Sequence, residues 1–198
     1  MSSIVSVVIA AQPGRGFTTS RWISRWGDST LLGHVLDAAR AWPVEPGLVV
    51  LGADAEDLLD GMEFDPFSVL IDPRWEDGEL ASFQAALDYL QRDDEVDAIL
   101  LASGDMPVIP AGTVEAMLAA YATPRRPVAV VPKYRYVRGR PLLIRRNLWP
   151  RLLGLGGGST IESVLATHDA PVAEVWIDHL PPVVIASPED RDGVVPRR

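Results

Sequence analysis

Two rhythms of apolar residues run through this chain. Short runs in which most residues are apolar and β-branched, such as IVSVVIA at residues 4–10, predict strands buried inside a parallel sheet. Similar runs at residues 48–52, 67–71, 98–102, 128–131, 141–144 and 172–177 predict further strands. Between them the apolar positions recur at helical spacing. Leu31, Leu32, Val35, Leu36 and Ala39 fall on one face of LLGHVLDAARAW, with Ser29 or Thr30 as its cap. A short helix is expected over residues 54–59. Another, LASFQAALDYLQR, offers Ala85, Ala86, Leu87 and Leu90 to a core and carries Ser82 in its first turn. Pro110 is placed to start a helix running from Ala111 to Tyr121, and Ser159 to cap IESVLATH behind Gly156-Gly157-Gly158. Asn147 to Leu153 reads as a helical turn. Strand and helix alternate almost throughout, which predicts an α/β fold with a largely parallel sheet.

The length of 198 residues suits a single domain spanning 1–198 with a full core. There is no cysteine, so disulfides and thiolate metal sites are excluded. A net charge of −9 argues against a nucleic-acid partner, which would want a basic face. No apolar run approaches the roughly 20 residues of a membrane span, so no membrane partner is expected. MSSIVSVVIAAQ lacks the basic start of a signal peptide, and the expected location is the cytoplasm. Lys133 is the only lysine; any other cation facing a phosphate must be an arginine.

Candidate chemistry gathers where strands end. The run at 98–102 leads into Ser103-Gly104-Asp105-Met106-Pro107. In an open α/β sheet, ligands bind at the carboxyl ends of the strands. A carboxylate there, after a glycine that permits close approach, can hold a divalent metal through hard oxygen; it can equally bond turn amides. After the first strand comes AQPGRGFTTSRWISRWGDST, with Gly14 and Gly16 among Arg15, Arg21 and Arg25. Its backbone amides could wrap phosphates, or the stretch could be a surface loop with solvated arginines. KYRYVRGR at 133–140 offers positive charge to a phosphate or to an acidic substrate, or is a solvated face. The helix start behind Gly158 and Ser159 could bind an anion or be a plain cap. His34 lies beside an apolar helix face and reads as structural.

Set side by side, several segments resemble the MobA-like nucleotidyltransferases, the group that includes molybdopterin guanylyl- and cytidylyltransferases. These are VVIAA, STLLGHVLDAA, IDPRWEDGELASFQAAL, LLASGDMPVIPAGTVEAMLAAY, AVVP, RGRPLLI with LWPRLL, and SPED. GDMP and WEDG…S…QAAL are the specific ones, and the resemblance covers nearly the whole chain. It implies a three-layer, Rossmann-like nucleotide-diphospho-sugar-transferase fold with one reversed strand. It implies movement of a nucleoside monophosphate from an NTP, CTP or GTP, onto a small phosphorylated acceptor such as molybdopterin, with release of pyrophosphate.

Carried over by position, Asp105 matches the Mg²⁺-binding aspartate, and Gly104 precedes it. Asp72 matches a nucleotide-contacting position. Ala10, Ala11 and Gln12 match the segment that packs on base and ribose, and Gly14 matches a glycine of the phosphate loop. Backbone amides from Gln12 to Gly16, with Arg15 and Arg21, would hold the β- and γ-phosphates. Arg138 and Arg140 would face the acceptor phosphate. A molybdoenzyme or a second copy of the chain is the macromolecular partner such a role admits. The chain also departs from the family pattern. The opening motif runs roughly LAAGxGxRMG followed by a lysine, where this chain has IAAQPGRGFT and Arg21. Where relatives read DIDTPED, this chain reads VIASPED, with Val184 and Ala186 in place of aspartates. These departures set a second reading beside the first: an impaired relative acting as a nucleotide-binding, regulatory or chaperone-like protein.

Overall fold

The structure is a computed structural model that describes residues 3–156, 158–167 and 171–194. Gly157 and His168, part of the expected glycine run and helix, lie outside these residues. The chain runs through β1 (Ser3–Ala10), a short ribbon of β2 (Arg25–Trp26) and β3 (Ser29–Thr30), α1 (Leu31–Arg40), β4 (Glu45–Leu51), α2 (Ala55–Gly61) and β5 (Ser68–Ile71). It continues through α3 (Glu79–Leu90), β6 (Val96–Ser103), α4 (Thr113–Tyr121), β7 (Ala129–Tyr134), β8 (Val137–Arg138) and β9 (Leu142–Arg145). It ends in α5 (Trp149–Leu153), α6 (Ile161–Thr167), β10 (Val172–Ile177) and α7 (Pro188–Gly193).

The main sheet has eight strands in the order β10-β7-β9-β6-β1-β4-β5, with β8 paired to β7. β9 runs antiparallel to both of its neighbours, β6 and β7, while β6, β1, β4 and β5 are parallel. This is the expected mostly parallel sheet with a reversed strand. The alternation of strand side chains explains the layers. Val8 and Ala10 of β1 face α1 and α2, joining Leu32, Val35, Leu36, Val49 and Leu58. Val7 and Ile9 point the other way, towards Phe83, Ala86 and Leu87 of α3. A separate cluster seats Val114 and Met117 of α4 on Leu100, Val130 and Leu143. Phe83 and Leu87 are fully buried, so truncating either to alanine would cost about 2–5 kcal/mol.

Element ends differ from the sequence reading for local reasons. Of the two expected caps of α1, Thr30 is the one used, accepting from the Gly33 amide at 3.0 Å. α4 starts at Thr113 instead of beside Pro110, because Gly112 turns the chain at φ 77°. Thr160, not Ser159, receives the Ser163 amide at the start of α6, at 3.1 Å. The basic stretch 133–140 is no loop: it forms the β7–β8 hairpin. The long segment after β1 is also less open than expected. Trp22 and Trp26 sink into the protein at 1% and 4% exposure and anchor it.

Candidate active site

β1 sits between β6 on one side and β4 on the other. The chain leaves β1 for one neighbour and returns through the other, so a crevice opens between the ends of β1 and β6, the usual place for a ligand in such a sheet. The Gly104 amide donates to the Ile9 carbonyl at 2.8 Å and joins these two ends. A Cβ on Gly104 would stand 3.0 Å from Trp22 and 3.1 Å from Ala10, so the close approach favours glycine.

Asp105 lies at the mouth of this crevice, its side chain 14% exposed. Its Oδ1 accepts from the Ser103 hydroxyl at 2.6 Å. Its Oδ2 faces Nη1 of Arg21 at 3.4 Å. Arg21 comes from the loop after β1 and is 7% exposed. Its guanidinium stacks on the Trp22 ring at 3.9 Å, and its carbonyl accepts from the Ser24 hydroxyl at 2.6 Å. Its Nε is buried without a partner. Burial pulls the Arg21 guanidinium below its ordinary pKa, while the charges of Asp105, Asp54 and Glu79 pull the other way. Gly14 lies against this arginine: a Cβ there would stand 2.7 Å from Arg21 Cβ and 2.8 Å from Cδ.

The same neighbourhood holds most of the expected loop. Ala10 and Ala11 are buried behind it. Gln12 donates its side-chain amide to the Trp75 carbonyl, across to the 3₁₀ turn that precedes α3. Arg15 and Gly16 are exposed, with Gly16 at φ 73°. The Arg15 amide donates to the Ala186 carbonyl at 3.2 Å, and the Ile185 amide to the Asp105 carbonyl at 2.9 Å. The C-terminal segment therefore lies against both the loop and the Asp105 turn. Its SPED motif caps a helix: Ser187 and Asp190 form a reciprocal capping box at α7. Asp190 Oδ2 accepts from the Ala186 and Ser187 amides, which commits it to the cap.

Three further expected site residues hold partners within the protein. Asp72 is 1% exposed, with Oδ2 accepting from Ser82 at 2.8 Å and Oδ1 from the Arg74 amide at 3.0 Å. It ties the end of β5 to α3. Arg138 pairs with Glu174 at 2.7 Å, beside Lys133 at 2.8 Å from the same carboxylate. Arg140 reaches Glu79 and Glu162. Burial would lower its pKa, but those two carboxylates more than offset that and raise it. Tyr134 donates its hydroxyl to the Arg140 carbonyl at 2.8 Å, and burial pushes that phenol up to about 12. Arg138 and Arg140 thus hold separate acidic partners.

Sequence reasoning passed over Ser103, the hydroxyl that orients Asp105. It also passed over a cleft of about 1080 Å³ flanking the Asp105 turn, walled by Trp26, His34, Val108, His179, Leu180 and Pro182. The walls lie on five separate segments, so no motif announces them. Their exposed apolar groups, Val108 at 52% and Leu180 at 65%, are the only signal, and single apolar residues on a surface are common. Among the described residues, no three acidic or histidine side chains gather closely enough to hold a metal alone. No described helix is long and apolar enough to cross a membrane.

Comparisons with known proteins agree with this architecture. The family profile of the MobA-like NTP transferase domain matches residues 6–172. No curated protein matches the sequence. Among solved structures, a homologue of Rv0371c from Mycobacterium sp. strain JC1 is 26% identical at a TM-score of 0.84, covering 97% of this chain and 94% of that one. Rv0371c of Mycobacterium tuberculosis H37Rv, in complex with manganese, is 22% identical at 0.83, covering 98% of both chains. The molybdopterin-guanine dinucleotide biosynthesis protein A of Archaeoglobus fulgidus shares the fold at 18% identity and 0.67, over 96% of this chain and 95% of that one. The profile spans the first strand, the Asp105 crevice and the reversed strand alike, and the chain belongs to the MobA-like NTP transferase domain family of nucleotidyltransferases.

Proposed function

We propose that the chain, acting as one domain, moves a nucleoside monophosphate from CTP or GTP onto a small phosphorylated acceptor, with molybdopterin as the first candidate. An acceptor oxygen attacks the α-phosphorus. The bond from that phosphorus to the bridging oxygen breaks, and pyrophosphate leaves with the electron pair. Such transfers need positioning and neutralised charge more than covalent help from the protein. The observation that carries this reading is the Asp105–Arg21 pair at the crevice between β1 and β6.

The donor set suits a hard cation, Mg²⁺ or Mn²⁺. One carboxylate with a hydroxyl beside it leaves the other coordination positions to phosphate oxygens and water, the usual arrangement for magnesium with nucleotides. A cation held by Asp105 would neutralise charge that develops on the phosphates during transfer. Arg21 and the amides of the Gln12–Gly16 loop face the β- and γ-phosphates. The acceptor enters through the apolar cleft beside the turn, where Trp26, Leu180 and the prolines suit a flat ring system. The resemblance of the GDMP and WEDG segments and the fold shared with a molybdopterin-guanine dinucleotide biosynthesis protein support the acceptor class.

Val184 and Ala186, beside Asp105 where relatives carry aspartates, favour a second reading: a relative that binds nucleotide without turnover. Pyrophosphate release from each of the four NTPs, with and without molybdopterin, separates the two. Release that requires both CTP or GTP and the acceptor supports the enzyme. Nucleotide binding without release supports the second reading, and no binding at millimolar nucleotide overturns both.

A further inference from the structure

Both oxygens of Asp105 face partners within the chain. Ser103 donates to one at 2.6 Å, and Arg21 stands 3.4 Å from the other. Arg21 is not a loose surface cation that drifts against a carboxylate. It is 7% exposed, stacked on Trp22, and packed against the backbone of Gly14, where not even a methyl group would fit. At the same time its hydrogen bonding is incomplete, because Nε is buried without a partner. Leaving a buried donor unpaired is costly, more so on a charged group. A second anion reaching Nε would relieve that cost.

These facts bear on how a divalent cation reaches Asp105. A cation on Oδ2 would stand directly beside the guanidinium, and like charges at that range repel strongly where water is thin. The charges of Asp54 and Glu79 also act on Arg21, but among the described residues no three acidic or histidine side chains gather closely enough to hold a metal without the phosphates. We propose that Arg21 is the built-in counter-ion of Asp105 and excludes divalent metal from the free protein, so that metal enters only together with a triphosphate. The triphosphate brings the anionic oxygens that Arg21 lacks. Arg21 turns to them, Oδ2 is released, and the metal carried by the phosphates takes it. This ordering rests on the reading of Asp105 as the metal ligand. It makes Arg21 a positioning residue as well as a phosphate contact.

The order of entry follows from the stacked geometry. Stacking on Trp22 holds the guanidinium beside Asp105 until phosphate oxygens draw it away, whereas an ammonium on a flexible stem has no such planar contact to hold it there. Replacing Arg21 by lysine should therefore weaken the exclusion without abolishing it.

The experiment is a titration of the full chain with Mn²⁺ alone, read by electron paramagnetic resonance, for wild type, Arg21→Gln and Arg21→Gln with Asp105→Asn. Wild type should leave the free-Mn²⁺ signal unchanged. Arg21→Gln should bind Mn²⁺ tighter than wild type by roughly ten- to a thousandfold, the range over which one adjacent charge changes a carboxylate's affinity for a cation. The double variant should lose that gain. If Arg21→Gln does not fold, as judged by its circular dichroism melt, Arg21→Lys takes its place, with an intermediate gain expected. Adding CTP or GTP to wild type should convert free Mn²⁺ to a protein-bound form, read by water-proton relaxation. Mn²⁺ binding as tight in wild type as in the Arg21 variants, or a gain that survives Asp105→Asn, overturns the proposal. The outcome is separable from turnover. A gain in Arg21→Gln with no pyrophosphate release leaves the counter-ion role standing and sinks the transferase reading; active transfer with no gain does the reverse.

Discussion

Two groups of arginines in this molecule look alike in sequence and differ in structure. Arg138 and Arg140 sit in a basic run, yet each is matched to carboxylates: Arg138 to Glu174, and Arg140 to Glu79 and Glu162. Arg21 sits in a longer, less basic segment, faces a single carboxylate at 3.4 Å, and keeps a buried nitrogen unpaired. The first group is satisfied and ties the β7–β8 hairpin, α3 and α6 together. The second has capacity left over and points into the crevice. Density of positive charge along a chain says little about which cation meets a ligand. An unmet hydrogen-bond donor in a buried place says more.

The sharpest way to break this contrast is at Asp105. Asp105→Asn keeps the Ser103 hydrogen bond and removes one charge, so pyrophosphate release should fall by roughly a hundredfold or more, while the protein stays folded with a lowered thermal midpoint, because buried Arg21 loses its partner. Equal turnover in both proteins would remove Asp105 from the site. Next in size, Arg21→Ala should weaken NTP binding roughly ten- to a hundredfold, the scale of charge-assisted hydrogen bonds to phosphate, and NMP binding much less. Calorimetry showing equal losses for the two would move Arg21 away from the β- and γ-phosphates. In the other group the effect should fall on stability. Arg140→Gln leaves Glu79 and Glu162 without their partner, and because both are half exposed it should cost about 1–2 kcal/mol in urea unfolding. The smallest effect concerns Glu174. Hydrogen bonds from Lys133 and Arg138 hold its carboxyl below the ordinary glutamate value. Its contribution is therefore present above the ordinary glutamate range and lost as pH falls through the lowered value. Glu174→Gln should cost about 0.5 kcal/mol near neutral pH, and that difference should vanish in acid.

What was legible in the sequence follows the same physics. Strands such as IVSVVIA and helices such as LLGHVLDAARAW announce themselves because burial imposes a period on them. The Asp105 turn was legible too, since a buried strand, a glycine and a carboxylate stand together in a few residues. Arg21 was legible only as a position after a glycine-rich loop; its stacking on Trp22 depends on how that loop folds back. The bond of Asp72 to Ser82 was not legible, because a carboxylate at a strand end reads the same whatever it meets. The partners of Arg138 and Arg140 were not legible because they are distant in sequence: Glu79 precedes Arg140, and Glu174 follows Arg138, by tens of residues. The cleft was invisible because five separate segments build it and none carries a motif.

The most direct test of the contrast is a calorimetric titration of MgCTP and MgGTP into wild type, Asp105→Asn and Arg140→Gln, all verified as folded. One nucleotide should bind wild type and Arg140→Gln with the same affinity and bind Asp105→Asn much more weakly. Loss of binding in Arg140→Gln with full retention in Asp105→Asn would contradict the account and move the nucleotide to the other group of charges.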